Sequence, residues 1–110
     1  MIYYIDFDGT ICPNSGNAPQ PECIEVIREL RKRNHQICIY SCRSNPDCVS
    51  DAALATDDMI KYLNHFNIPY DHIIHGKPYF NYIIDDRAIG VPLTRGNNVD
   101  WAALKDKILN

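Results

Sequence analysis

At 110 residues the chain has room for one domain, residues 1–110, and is too short for a catalytic unit plus an independently folded second one. A hydrophobic share of 45% with 23% charged residues excludes disordered and fibrous classes. The formal net charge of -3 argues against a polynucleotide partner. The first predicted strand is Ile2 to Asp6, apolar nearly throughout, as suits a strand covered on both faces. It runs into Asp6-Phe7-Asp8-Gly9-Thr10, where Asp6 and Asp8 share one side and Phe7 takes the other. Ile11 to Gln20, carrying Pro13, Asn14, Gly16 and Pro19, reads as a loop. Pro21 to about Arg33 is a helix with Pro and Glu at its start, Arg31-Lys32-Arg33 at its end, and Asn34 as its stop. The basic run complements a helix C-terminus and needs no nucleic acid to explain it.

Ile37 to Tyr40 is the second predicted strand and delivers Ser41-Cys42-Arg43-Ser44 at its carboxyl end. A helix from near Val49 to Phe66 follows, with Ala52, Ala55, Met59, Leu63 and Phe66 tracing one face; Thr56-Asp57-Asp58 could cap a second piece. Asp71 to His75 gives a third strand, Gly76-Lys77-Pro78 a loop, and Tyr82 to Asp85 a fourth strand ending in Asp85-Asp86-Arg87. A helix from about Asp100 to Leu109, with Trp101, Leu104 and Ile108 inward, closes the chain. Alternating strands and helices predict a parallel α/β sheet. Polar clusters then fall at strand carboxyl ends, the edge where such sheets bind ligands.

No apolar run approaches a membrane span and no charged start precedes an apolar stretch, so a cytoplasmic protein without membrane attachment is expected. Five cysteines leave one unpaired in any full disulfide scheme and none is spaced C-x-x-C, which favours reduced thiols over a zinc site. His72 and His75 lie in a predicted strand, where i and i+3 face opposite ways, so they do not make a metal pair.

Taken singly, each polar cluster has a bland explanation: Asp or Ser as a turn cap, Lys77 as an exposed loop charge. Four such clusters along one edge favour a site. If Asp6, Asp8, Asp85 and Asp86 converge, each pair repels by roughly 1 to 4 kcal/mol at about 4 Å. A cation must then sit among them, or several must stay protonated. Oxygen ligands favour a hard ion, with Mg²⁺ the first choice because it also accepts phosphate oxygens. Lys77 adds positive charge and Ser41 a hydroxyl, which together describe a pocket for a phosphate dianion.

The order of these residues, D-F-D-G-T after a first strand, Ser at the end of the next, then Lys and finally D-D, resembles the haloacid dehalogenase superfamily. Gly76-Lys77-Pro78-Tyr79 leading into Tyr82 to Ile89 is similar to small phosphatases encoded with capsule and surface-polysaccharide genes and to related phage-borne hydrolases. The resemblance implies a three-layer Rossmann-like sheet with helices on both faces and no cap domain. It implies a phosphomonoesterase for a small phosphorylated substrate, such as a sugar phosphate, with Asp6 as nucleophile and Asp8 as acid and base. Ser41, the amide of Cys42, Arg43 and Lys77 would bind phosphate. Asp6, the carbonyl of Asp8, and Asp85 would ligate Mg²⁺, with Asp86 acting through water and Arg87 bracing the site. An open, capless site suggests a large substrate, promiscuity, or a second subunit serving as lid. A phosphotransferase, a polynucleotide-end phosphatase and a catalytically silent partner-binding member are the alternatives on this core. A receiver domain has the same residue types in a different order.

Overall fold

The computed structural model describes residues 1–110. The elements in order are β1 (Ile2–Ile5), α1 (Pro21–Lys32), β2 (Gln36–Tyr40), a short 3₁₀ turn (Cys42–Ser44), α2 (Ala52–His65), β3 (His72–Ile74) and α3 (Trp101–Leu109). The sheet is parallel with order β1-β2-β3, and its register sets Tyr3 beside Ile37, Ile5 beside Ile39, and Ile39 beside Ile73. This is the α/β, Rossmann-like arrangement that the alternation predicts. No helix is long and apolar enough to cross a membrane.

Helix α1 begins with Pro21 in its first turn and Glu22 beside it, and buries Cys23, Val26, Ile27 and Leu30. Asn34 follows it at φ 66, and the amides of Asn34 and His35 bond back to the carbonyls of Arg31 and Leu30. That is a Schellman ending, with Asn in the left-handed position that most side chains avoid. Helix α2 ends the same way: Asn67 has φ 54, and Ile68 donates to the Leu63 carbonyl while it is itself buried. Helix α2 is one piece and starts at Ala52 rather than near Val49, because the Asp51 carboxylate accepts the Leu54 amide at 3.0 Å and fixes the N-cap there.

One core of 16 buried residues joins Ile5, Ile37 and Ile39 to the inner stripes of all three helices, with Ile73 packed against it. On the opposite face Ile2, Tyr4, Gln36 and His72 are exposed, and Cys38 is buried. The helical stripes thus meet the core on the Ile5 face. On the other face the loop after β3 brings the Lys77 ammonium over the Tyr40 ring, with Phe80 against the same ammonium.

The fourth predicted strand does not form. Residues 82–85 join no ladder, Tyr82 and Ile84 are 91% and 101% exposed, and β1 ends the sheet with its outer edge unpaired. The apolar run Tyr82-Ile83-Ile84 has the composition of a strand, but composition only says that residues suit a pleated, half-buried surface; it does not supply the partner. Just beyond it the Asp85 carboxylate accepts the Arg87 amide at 2.8 Å and its carbonyl accepts that of Ala88, closing a turn that stands off from the sheet. A cleft of about 1190 Å³ separates β1 from this segment.

Candidate active site

The site starts from the loop that leaves β1. The Phe7 side chain, 1% exposed, points into the core and meets the Tyr62 ring edge-on, which turns Asp6 and Asp8 the other way as the alternation predicts. The Phe7 carbonyl accepts the amides of Thr10, Ile11 and Cys12, and Gly9 sits at φ 76 inside this tight loop. Two contacts from distant sequence hold the loop down: the Val99 amide donates to the Gly9 carbonyl at 2.8 Å, and Trp101 Nε1 to that of Thr10 at 2.7 Å.

Four charged side chains meet there. Lys77 Nζ lies 2.6 Å from Asp6 Oδ1, and Thr10 Oγ1 donates to Asp6 Oδ2 at 3.0 Å. Arg43 grips Asp8 with two bonds, Nε to Oδ2 at 2.9 Å and Nη2 to Oδ1 at 2.8 Å. This fork is the stronger, geometrically specific kind of ion pair, and the Asp8 hydrogen bond pushes the Arg43 pKa up against a smaller opposing effect of burial. The Lys77 ammonium also faces the Tyr40 and Phe80 rings at 5.3 and 5.6 Å, and the Arg43 guanidinium faces the Phe7 ring at 5.1 Å. Each of the two carboxylates is therefore neutralised by its own cation.

Ser41 is brought to the same edge by β2, with 1% exposure, and its Oγ accepts the Arg43 amide at 3.1 Å. It thereby caps the 3₁₀ turn that presents Cys42 and Arg43. The same turn grips the Lys77 loop: Asn45 Nδ2 donates to the Lys77 carbonyl at 2.8 Å, and the Cys48 and Cys42 thiols to the Lys77 and Pro78 carbonyls at 3.5 Å each. Lys77 is 13% exposed at its side chain, held from its backbone outward to its ammonium.

The four aspartates do not converge. Asp85 and Asp86 line the cleft that Asp6 and Lys77 also line, but no three acidic, histidine or cysteine side chains come together to hold an ion. Asp6 and Asp8 are engaged by Lys77 and Arg43, and Asp85 by the Arg87 amide; of the four, Asp6, Asp85 and Asp86 line the cleft and Asp8 does not. In donor chemistry the set suits a hard divalent ion, being all carboxylate oxygen. The repulsion that seemed to demand a cation among all four is relieved here by separation and by the two basic side chains.

Thr10, Asn45, Tyr40 and Phe80 had no role assigned from sequence. Thr10 lies within the D-x-D-G-T run, so its contact with Asp6 had a signal; Asn45 lies in an irregular polar stretch and had none.

A family model for haloacid dehalogenase-like hydrolases matches residues 3–88. The chain belongs to that family. The match spans β1 through the Asp85-Asp86 turn, so the Asp6, Ser41, Lys77 and Asp85 regions of this haloacid dehalogenase-like hydrolase all fall within it. A solved structure of a structural-genomics target from Vibrio cholerae is similar to it at TM-score 0.64 and 26% identity, over 80% of this chain and 81% of that one. Among curated proteins none matches.

Proposed function

We propose that the protein is a Mg²⁺-dependent phosphomonoesterase that works through an aspartyl-phosphate at Asp6. The observation that carries this reading is the pairing of Asp6 with Lys77, both lining an open cleft, and of Asp8, two residues on, with Arg43, each cation being one that a phosphate dianion could engage instead. Family membership supports hydrolysis in general; the phosphate ester and the covalent step are the finer reading.

On this reading Asp6 attacks phosphorus and the ester P–O bond breaks, with Asp8 giving its proton to the departing alkoxide. Asp8 then takes a proton from water, whose oxygen attacks phosphorus and frees Asp6. Both steps need Arg43 to leave Asp8, and a bound phosphate gives its guanidinium a new bidentate partner. Lys77 orients the Asp6 carboxylate, then stabilises charge on the transferring oxygens. The Ser41 hydroxyl and the Cys42 amide contribute donors at the end of β2. Asp6 and the carbonyl of Asp8 would hold Mg²⁺ from the β1 side, and Asp85, with Asp86 through water, would have to reach it from across the cleft that separates them here; the ion would offset the charge shared by carboxylates and phosphate.

The test is phosphate release from a panel of small esters, sugar phosphates among them, with Mg²⁺ present. The parent is expected to release phosphate, and Asp6→Asn to lose at least about a hundredfold in rate, as when a covalent nucleophile is removed. Equal rates would rule the chemistry out.

A further inference from the structure

Cys12, Cys23 and Cys38 are buried, whereas Cys42 and Cys48 are half-exposed and flank one short piece of backbone. Their sulfurs donate to consecutive carbonyls, those of Pro78 and Lys77, which brings both thiols to one stretch of backbone. The backbone they hold is the one from which Lys77 reaches Asp6. We propose that Cys42 and Cys48 form a modification site, at which a low-molecular-weight disulfide such as glutathione disulfide joins them into an internal disulfide that loosens the seat of Lys77.

The exchange balances as a two-electron transfer. One thiolate attacks the small disulfide, forming a mixed disulfide and expelling one small thiol; the second protein thiolate attacks that bond, forming Cys42–Cys48 and expelling the other. Two S–H bonds are lost from the protein and two are gained by the oxidant. The link removes both S–H protons, so neither sulfur can donate to its carbonyl, and Asn45 alone still bonds the Lys77 carbonyl. Burial, and then Cys48 itself, push the Cys42 thiol up, so the exchange quickens as pH rises above neutrality. The expected loss of activity rests on the phosphatase reading; the formation of the bond does not.

The full chain is incubated with glutathione disulfide, its remaining thiols are alkylated in denaturant, and peptides are mapped by mass. The expected product is a Cys42–Cys48 link with the other three thiols alkylated, together with faster hydrogen exchange at the Gly76 and Lys77 amides. Phosphate release should fall on the order of a hundredfold, the scale of a misplaced catalytic group, and return with dithiothreitol. Cys48→Ser should show the same activity before and after the treatment. Mixed glutathione adducts without an internal link, a link elsewhere, a link that leaves exchange at Gly76 and Lys77 unchanged, or equal inactivation of Cys48→Ser would each overturn the proposal. A parent that hydrolyses no ester defeats the phosphatase reading alone, since the linked peptide and the exchange rates still decide this one.

Discussion

At Gly9 the backbone enters the left-handed region, at φ 76, between the two residues whose side chains flank the loop, Asp8 and Thr10. A Cβ placed there would meet the Asn14 amide oxygen at 3.4 Å, an ordinary contact, so the cost of substitution lies in the backbone. Gly9→Ala should destabilise by about 1–2 kcal/mol, read as a lower urea midpoint with an unchanged slope. Stability equal to the parent would mean that the loop reaches its shape another way. The thiol of Cys23 sets a second residue-scale limit. Fully buried on the inner face of α1, it is pushed up to about 12 from 9.0 by desolvation. The folded state therefore keeps this proton while the unfolded chain loses it, so its contribution is intact below pH 9 and declines as pH rises toward 12. The slope is at most about 1.4 kcal/mol per pH unit. Denaturant curves from pH 8 to about 11 should show that decline in the parent and a shallower one in Cys23→Ala.

Among the elements, α1 was legible because its signals agree: Pro21 and Glu22 at the start, an apolar stripe, basic residues at the end and Asn34 beyond. Strands β1 and β2 were legible as short apolar runs, and the fall of Asp6, Ser41 and Lys77 along one edge follows from their parallel pairing. The start of α2 was misread because Val49 and Ala52 both suit its apolar face, while the deciding bond, from Asp51 to Leu54, depends on backbone geometry. The fourth strand was misread for a deeper reason. Tyr82-Ile83-Ile84 has strand propensity, but a strand exists only when its amides find a ladder, and these residues join none before the turn at Asp85. The pairings of Asp6 with Lys77 and Asp8 with Arg43 were only half legible: all four residues were singled out, but as ligands of ion or phosphate rather than of one another.

At the scale of the whole molecule, an open sheet edge and an exposed apolar segment line one cleft together with Asp6, Asp85 and Asp86. If Asp6 and Asp85 hold one Mg²⁺, the ion must bind the folded chain and stabilise it by linkage. At about a hundredfold excess over its Kd this adds roughly 2.7 kcal/mol, a rise of several degrees in Tm. Asp85→Ala should remove that rise; a parent whose Tm ignores Mg²⁺, or a variant that responds equally, would argue against a shared ion. Thermal melts need no substrate, so they separate the metal question from the chemical one.

The covalent step itself can be caught. With an ester that the enzyme turns over, acid quenching during turnover followed by borohydride reduction converts a phosphorylated aspartate to homoserine, which peptide mass mapping locates. The label is expected at position 6 alone and absent from Asp6→Asn. A reduced residue at Asp8 or elsewhere, or full turnover with no trapped aspartate at any quench time, would contradict Asp6 as the nucleophile.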